Sequence, residues 1–386
     1  MGPNRLFRIL FAFSITIGVV RGVFAQELMF RSLTVKDGLS VSHVSSMAQD
    51  SHGFLWFGTG GGGLNRFDGY DFEVFRHRAD DPSTISSNTV VTLHVGGDGT
   101  LWVGTNRGLD RFDEATENFT RFQHRPEDDT TIGPGVVESI ASDSLGRVWL
   151  ASYDNLNWIE IRGTVSRLDP ATGTAVRFDV APSNMNKVAS LFVDSSDNVW
   201  AGIGHEEERR ATADHGLYRY DGSTGTFMRV PLKTPEGLDP GVMAIEEGAR
   251  GDLWIGTWGS GLALLGSEGG ETEWYVTDST DSDSLGGNYV EHLASDSLGR
   301  IWTITVQGPW DSLGGQVPGS LNMVDRVGQS TTRFGEDPIN PNSLGDYFLR
   351  SVFLDTSGTL WVGTSGAGLR YADAEATGFT TWAHDP

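Results

Sequence analysis

One short pattern recurs seven times along the 386 residues and constrains the fold more than any other feature. The copy from Asp98 to Asp113, DGTLWVGTNRGLDRFD, contains a polar turn, an apolar strand carrying Trp102, a Gly-rich corner and a second strand. The matching tryptophans follow one another 46 to 59 residues apart and are Trp56, Trp102, Trp149, Trp200, Trp254, Trp302 and Trp361. Self-similarity at this period is typical of repeat architectures.

The apolar runs within each repeat are too short for helices. Gly, Asp, Ser and Asn interrupt them every few residues, which is the pattern of short antiparallel strands, and four strands fit one period. A four-stranded sheet cannot bury both of its faces alone, whereas a closed ring of such sheets can. The sequence therefore predicts an all-β fold, a seven-bladed β-propeller of four-stranded antiparallel blades, with each recurring Trp packed between neighbouring blades.

The turn before each Trp strand is also patterned. Six copies have Gly three residues before the Trp, which permits positive φ, and the fourth has Asp197, a residue type that tolerates this region. Four aspartates share another position of this turn, which predicts a structural role for Asp143, Asp194, Asp296 and Asp355. Four arginines, each two residues before an Asp, predict scaffold ion pairs: Arg66, Arg111, Arg167 and Arg219.

The repeats DGTLWVGTNRGLDRFD and TSGTLWVGTSGAGLRYAD, with the segment VKDGLSVSHVSSMAQDSHGFLWFGTGGGGLNRFDG, resemble the two-component regulator propeller repeat. The resemblance covers nearly all of residues 27 to 386. It implies the periplasmic sensor region of a hybrid sensor histidine kinase or a related membrane-bound signalling protein. Such a parent has downstream signalling domains in the same chain, an inner-membrane anchor and the capacity to form a homodimer. Members of this family sense oligosaccharides.

The N-terminus predicts export. Arg5 and Arg8 precede an apolar run from Ile9 to Val20, and small residues end at Ala25, as in a secretory signal peptide. Residues 1–25 are therefore predicted to be the signal peptide and 26–386 the propeller, on the periplasmic or extracellular side. An uncleaved membrane anchor is the alternative.

The charge of the chain excludes one class of partner. The formal charge is −23, and without Arg5, Arg8 and Arg21 it becomes −26, because three positive charges are removed. A surface of this sign repels nucleic acid, and no basic stripe offsets it. The chain has no Cys, and the nine His show no metal-ligand spacing. No catalytic residue, metal or cofactor is predicted.

The two termini compete for one place in the ring. Residues Leu28–Thr34 and Phe379–Pro386 are both in the phase of an outermost strand, which is one strand too many for seven blades. We expect the N-terminal strand to join the last blade, because closure by a terminal strand removes an exposed edge. On this interpretation the sequence stops where an eighth repeat would begin.

Three repeats carry long insertions between their second and third strands, at Tyr153–Thr164, Ile203–His215 and Val306–Gly319. In a propeller this connection lies on the same face as the linkers between blades, and long loops on a rigid scaffold often bind ligands. Aromatic, acidic, amide and basic side chains in them suit sugar rings and hydroxyls. The candidates are Tyr153, Trp158, Glu160, Arg162, His205, Arg209 and Trp310, with Trp258 from the corner of the fifth repeat. Packing of Trp158 and Trp310 within their own loops is an equally weighted alternative.

A variable position eleven residues before each Trp adds further candidates. If it faces the channel mouth, Glu138, Glu291 and Arg350 form a polar cluster there. The next position is small in six repeats and is His292 in the sixth, which either contacts ligand or is a structural histidine. The favoured interpretation is a non-catalytic sensor module. The alternatives are a propeller lyase or glycan-degrading enzyme with a site at the channel mouth, and a protein-interaction platform.

Overall fold

The computed structural model describes residues 28–157, 160–181, 187–204, 214–266, 272–306, 319–335, 340, 342–345 and 348–375. Its 28 strands form seven antiparallel groups of four, which we call blades 1 to 7 in chain order. One 3-10 helix, Val35–Asp37, precedes blade 1. The part of the chain that the structure describes contains no helix with the length and apolar character of a membrane span.

The strands follow the repeats. Blades 1 to 3 consist of β2 (Val44–Gln49), β3 (Leu55–Thr59), β4 (Gly63–Phe67), β5 (Phe72–Phe75), β6 (Val90–Val95), β7 (Leu101–Thr105), β8 (Gly108–Asp113), β9 (Asn118–Phe122), β10 (Val136–Ser142), β11 (Val148–Asn157), β12 (Glu160–Asp169) and β13 (Thr174–Phe178). Blades 4 and 5 consist of β14 (Val188–Val193), β15 (Val199–Ile203), β16 (Gly216–Asp221), β17 (Thr226–Val230), β18 (Gly241–Glu247), β19 (Leu253–Trp258), β20 (Leu262–Leu265) and β21 (Glu273–Tyr275). Blades 6 and 7 consist of β22 (Tyr289–Ser295), β23 (Ile301–Val306), β24 (Gly319–Asp325), β25 (Ser330–Phe334), β26 (Leu349–Leu354), β27 (Thr359–Thr364), β28 (Leu369–Asp373) and the N-terminal β1 (Arg31–Leu33).

The seven blades close into a ring. The first strands of successive blades contact one another in chain order, and β26 of blade 7 contacts β2 of blade 1. Strand β1 pairs with β28, with Ser32 opposite Arg370, so the N-terminal strand completes the last blade as expected. The competing residues Phe379–Pro386 lie outside the described residues.

The recurring tryptophans pack between blades, as predicted. All seven are buried. Trp56 of blade 1 lies in one apolar cluster with Phe112 and Phe119 of blade 2, and Trp361 of blade 7 lies in one with Phe57 and Phe67 of blade 1. Seven such clusters alternate with the blades, so the core is a ring of interfaces around the axis.

The turn aspartates hold the tryptophans in place. In five blades the indole Nε1 donates to the carboxylate six residues earlier, at 2.7–2.9 Å, in the pairs Trp56–Asp50, Trp149–Asp143, Trp200–Asp194, Trp302–Asp296 and Trp361–Asp355. The turn also has the expected backbone, with φ of 65° at Asp197 and 74–89° at the six equivalent glycines. The structural role predicted for these aspartates is confirmed.

The scaffold ion pairs predicted for the recurrent arginines are confirmed at Arg66, whereas Arg167 and Arg219 lie over tryptophan rings. Arg66 pairs with Glu73 of its own blade and with Glu117 of blade 2, at 2.8 Å. Its guanidinium also lies 5.6 Å from the Trp56 ring centroid, and Arg167 and Arg219 lie over Trp149 and Trp200 in the same way. The aspartates two residues later instead accept hydrogen bonds from the following turn, as Asp169 does from the amide of Ala171.

The linker that precedes a blade donates a backbone hydrogen bond to a side chain in the third strand of that blade. The acceptor is Asn65 Oδ1 for the Ser40 amide, Asp110 Oδ2 for the Ser86 amide and Asn322 Oδ1 for the Gly286 amide. The apolar residue just before the donor is buried at Leu39, Ile85 and Leu285. The linkers are therefore fixed parts of the face on which they lie.

Neighbouring blades approach each other so closely that the second strand of blade 2 needs a glycine at residue 104. A Cβ at Gly104 of blade 2 would lie 2.5 Å from Thr92 Cγ2 and 2.9 Å from Val137 Cγ1 of blade 3. We expect Gly104→Ala to lower the free energy of unfolding by about 1–3 kcal/mol, because overpacking forces the two strands apart. Gly97→Ala in the same blade is the control, since no atom lies within 4 Å of its added Cβ. Urea denaturation measures both, and equal effects would contradict the interpretation.

Candidate functional site

A β-bulge marks the same position in all seven blades. The pairing of the first and second strands skips one residue in each blade, and this is the position eleven residues before the Trp. The bulged residues are Ser45, Val91, Glu138, Ala189, Met243, Glu291 and Arg350. Each is partly exposed, whereas the residue before it is buried. A bulge re-aims its side chain, so we expect these residues to lie around one mouth of the central channel.

The insertions begin at this same end of the blades. Val137 pairs with Ser152, Val188 with Ile203 and Val290 with Thr305, so each second strand ends beside the start of its first strand. The insertions at Tyr153, Ile203 and Val306 therefore leave the blades on the face that carries the bulges, which we call the loop face. The turns between first and second strands lie at the opposite end, which we call the turn face.

The insertion of blade 3 is regular rather than loop-like. Strand β11 continues to Asn157 and β12 starts at Glu160, with Tyr153 opposite Gly163 and Asp154 opposite Arg162. The segment predicted as a long loop is thus an extension of the hairpin, and Arg162 is exposed on it. Trp158 lies outside the described residues, and Glu160 is placed by its backbone pairing with Asn157.

Blades 3 and 4 join three polar groups at the mouth. Lys187 Nζ lies 2.8 Å from Glu138 Oε1 and 5.2 Å from the centroid of the Tyr153 ring. Lys187 is only 8% exposed as a residue, so the pair is largely removed from water. The structure therefore brings the predicted residues Glu138 and Tyr153 together. Sequence reasoning missed Lys187, although its position thirteen residues before Trp200 also varies between repeats.

A second polar group lies where blade 7 meets blades 6 and 1. Arg350 Nε donates to Ser365 Oγ at 2.8 Å on the loop face. Burial, and after it the charge of Arg350, lowers the pKa of His292 to about 4. Burial, then Arg350, also lowers the pKa of His43. Both imidazoles are therefore neutral at pH 7 and stand near the Arg350 guanidinium.

An aromatic pair occupies the mouth between blades 5 and 6. The rings of Trp258 and Tyr289 meet edge to face at 4.8 Å and 80°, and the same residues form the pairing that joins the two blades into one sheet. The Trp258 Nε1 atom is buried and has no hydrogen-bond partner among the described residues. An unmet donor of this kind costs about 1–3 kcal/mol, so it favours an acceptor reaching this pair.

The remaining predicted residues are placed only in part. Glu291 occupies the bulge of blade 6, beside His292. His205, Arg209 and Trp310 lie outside the described residues. Within the described residues, no group of three or more His, Cys, Asp or Glu side chains is arranged to hold a metal ion.

A separate cavity of about 440 Å³ opens between blades 1 and 2. Its lining includes Asp50, His52, Trp56, Arg66 and Asp98. Asp50, His52 and Asp98 belong to turns between first and second strands, so this cavity lies on the turn face. Asp50 accepts a hydrogen bond from the Trp56 indole, and Arg66 pairs with Glu73 and Glu117, so both side chains already have partners within the blades.

The comparisons with known sequences agree with this geometry. Residues 38–61 and 84–107 match the two component regulator propeller family. The chain is 44% identical over 61 residues to histidine kinase P4 of Formosa agariphila, a match that covers 16% of this chain and 4% of that protein.

Solved structures show the same fold. An extracellular domain assigned to the hybrid two component system BT3049 of B. thetaiotaomicron superposes with a TM-score of 0.67 at 22% identity, covering 90% of this chain and 42% of that one. The domain assigned to BT4673 of the same organism superposes with a TM-score of 0.64 at 20% identity, covering 90% of this chain and 40% of that one. Inactive virginiamycin B lyase from Staphylococcus aureus gives 0.63 at 12% identity, covering 89% and 99%.

The chain spans less than half the length of the two extracellular domains and a small part of the kinase. The ring of four-stranded blades is the fold that these solved structures share with the chain. The chain is a β-propeller, and its repeats at residues 38–61 and 84–107 match the two component regulator propeller family.

Proposed function

We propose that this chain is the extracytoplasmic ligand-binding sensor module of a two-component type signalling protein, and that it binds an oligosaccharide or another small molecule at the loop-face mouth. One observation carries the choice of site. The seven bulges carry variable, partly exposed side chains, whereas the residue before each bulge and the repeat Trp are uniformly buried. Variable side chains on a constant scaffold are typical of binding sites.

The side chains at the mouth suit a sugar. Tyr153 offers an aromatic face, and Trp258 adds an indole donor. The Glu138–Lys187 pair supplies charge-assisted hydrogen bonds for hydroxyl groups. Ring stacking and hydroxyl recognition in one concave mouth are what an oligosaccharide requires.

The location and output follow from the likeness to extracellular domains of two-component systems. The propeller lies on the periplasmic or extracellular side of a parent anchored in the inner membrane, with signalling domains further along the same chain. Ligand binding then shifts the parent protein, as a homodimer, between two arrangements. The shift can be no larger than the difference between the ligand's affinities for the two arrangements.

Tyr153→Ala tests the site. We expect the affinity for a bound oligosaccharide to fall about tenfold, because the stacking surface is lost. Tyr70→Ala is the matched control, since Tyr70 is 89% exposed in a turn on the opposite face. Isothermal titration with neutral and acidic oligosaccharides measures both variants. Equal losses in the two variants, or no binding by the wild type, would contradict the proposal.

The same titrations test the enzyme alternative. His292 beside Glu291 is the only hint of acid–base chemistry that the mouth of the described chain offers. Turnover of a bound oligosaccharide that His292→Ala abolishes would favour an enzyme over a sensor module. Unchanged oligosaccharide recovered after prolonged incubation supports the sensor module.

A further inference from the structure

Arg350 is the basic residue among the seven bulge residues. Its Nε is held by Ser365, and it is partly exposed at the mouth. Within the described residues the structure gives Arg350 no ion pair.

Comparison between the repeats makes the contrast sharper. In blade 3 the bulged residue is Glu138, and it meets Lys187, which stands thirteen residues before the next Trp. In blade 7 the bulged residue is Arg350, and the equivalent position of the next blade is His43. Burial and Arg350 itself hold the pKa of His43 below its usual value, so this partner is neutral. The same geometry thus gives an ion pair at one interface and a lone cation at the other.

A second neutral histidine lies on the other side of Arg350. His292 of blade 6 has a pKa lowered to about 4, by burial first and by Arg350 second. Four bulge residues carry no charge, Ser45, Val91, Ala189 and Met243, and the two acidic ones are Glu138, which pairs with Lys187, and Glu291 of blade 6. An anionic group entering the mouth would therefore find its counter-charge at Arg350.

We infer that Arg350 binds the acidic group, a carboxylate or a sulfate, of an acidic oligosaccharide; this rests on the proposed function and names its ligand class. The guanidinium fork matches both groups in a bidentate manner. The Ser365 hydrogen bond leaves the terminal nitrogens to make that contact. The negative net charge of the protein repels an acidic ligand at Arg350 only weakly, because physiological salt screens exposed charges that lie more than about 8 Å apart.

The test compares three probes on the whole chain. A uronate oligosaccharide, a sulfated oligosaccharide and a neutral oligosaccharide of equal length are titrated against wild type, Arg350→Gln and Arg350→Lys. We expect Arg350→Gln to weaken binding of the acidic probes about 10- to 100-fold and to change neutral binding less than twofold, since hydrogen bonds to charged groups are the strong ones. Arg350→Lys keeps the charge without the fork and should lose less. The tighter acidic probe identifies the group as carboxylate or sulfate.

Arg107→Gln is the matched control. Arg107 is an exposed residue between β7 and β8 on the loop face, so the variant removes one positive charge that is not at a bulge. Melting temperatures check that each variant is folded. If Arg350→Gln is unfolded, Arg350→Lys takes its place in the comparison of acidic and neutral probes. Neutral binding with no preference for acidic probes, or equal losses for all probes in Arg350→Gln, would overturn the inference and leave the proposed function standing. No binding of any oligosaccharide would overturn both.

Discussion

Replacing Trp149 with alanine will lower the free energy of unfolding by about 3–5 kcal/mol, the cost of removing a large buried aromatic side chain. Trp149 is 1% exposed and joins two blades. Its ring stacks on Phe178 of blade 3 at 5.4 Å and meets Tyr220 of blade 4 at 4.9 Å. The alanine variant therefore opens a cavity at a blade interface rather than within one sheet.

Urea denaturation followed by tryptophan fluorescence and circular dichroism measures this loss. Trp149→Phe keeps an aromatic ring but loses the 2.9 Å hydrogen bond to Asp143, and should cost less than half as much. Tyr70→Ala should change the free energy of unfolding by less than about 0.5 kcal/mol, because its side chain is exposed. A loss below about 1 kcal/mol in Trp149→Ala would contradict the packing role of the repeat tryptophans.

Asp110→Asn will stabilise the protein above neutral pH and change it little in acid. Asp110 is fully buried, and its Oδ2 accepts hydrogen bonds from the amide and hydroxyl of Ser86 at 2.8 and 2.7 Å. Its Oδ1 has no partner among the described residues. Burial raises the pKa of Asp110 to about 7, against the opposing effect of Ser86 and Arg121. Blades 1 and 6 have Asn65 and Asn322 at this position, which are neutral acceptors.

The sign of the pH dependence follows from the direction of that shift. The folded pKa lies above the unfolded value of 3.8, so the folded state keeps a proton that the unfolded state loses. The contribution of Asp110 to stability is therefore fully present below about pH 4 and is lost as pH rises through about 7. A shift of this size corresponds to at most about 4 kcal/mol.

Free energies of unfolding of wild type and Asp110→Asn at pH 4.5 and pH 8 test this prediction. We expect a difference within about 1 kcal/mol at pH 4.5 and an advantage for Asp110→Asn of about 2–4 kcal/mol at pH 8. Burial lowers the pKa of His94 and His292 to about 4. These histidines change stability with pH in the opposite direction to Asp110, but they do so equally in wild type and Asp110→Asn. A difference that does not change with pH would show that Asp110 is ionised in the folded protein.

The repeat made the fold predictable. A period marked by Trp, with Gly or Asp197 at a turn of positive φ, specifies the same four strands seven times, and each copy confirms the others. Closure by Leu28–Thr34 followed from counting outer strands, because an unpaired edge is unfavourable. The contacts of the scaffold arginines were harder to predict from the sequence, because a cation can stack on Trp56 as readily as it can pair with a neighbouring carboxylate.

The site was less predictable because it depends on contacts between repeats. The sequence identified the bulge position by its variation, but the pairing of Glu138 with Lys187 spans two blades and needs the ring to be closed. The orphan Nε1 of Trp258 and the neutral neighbours of Arg350 depend on burial, which no local pattern encodes. Tyr153 was expected on a loop and lies on a hairpin, because strand pairing continues through the insertion.

Hydrogen–deuterium exchange with and without a saturating uronate oligosaccharide tests most directly where the chain meets its ligand. The account predicts slower exchange at the bulged segments of the loop face, among them residues 43–46, 136–139, 187–190 and 349–351. Slower exchange confined to the turn face, at residues 50–53, 96–99 and 143–146, would contradict it.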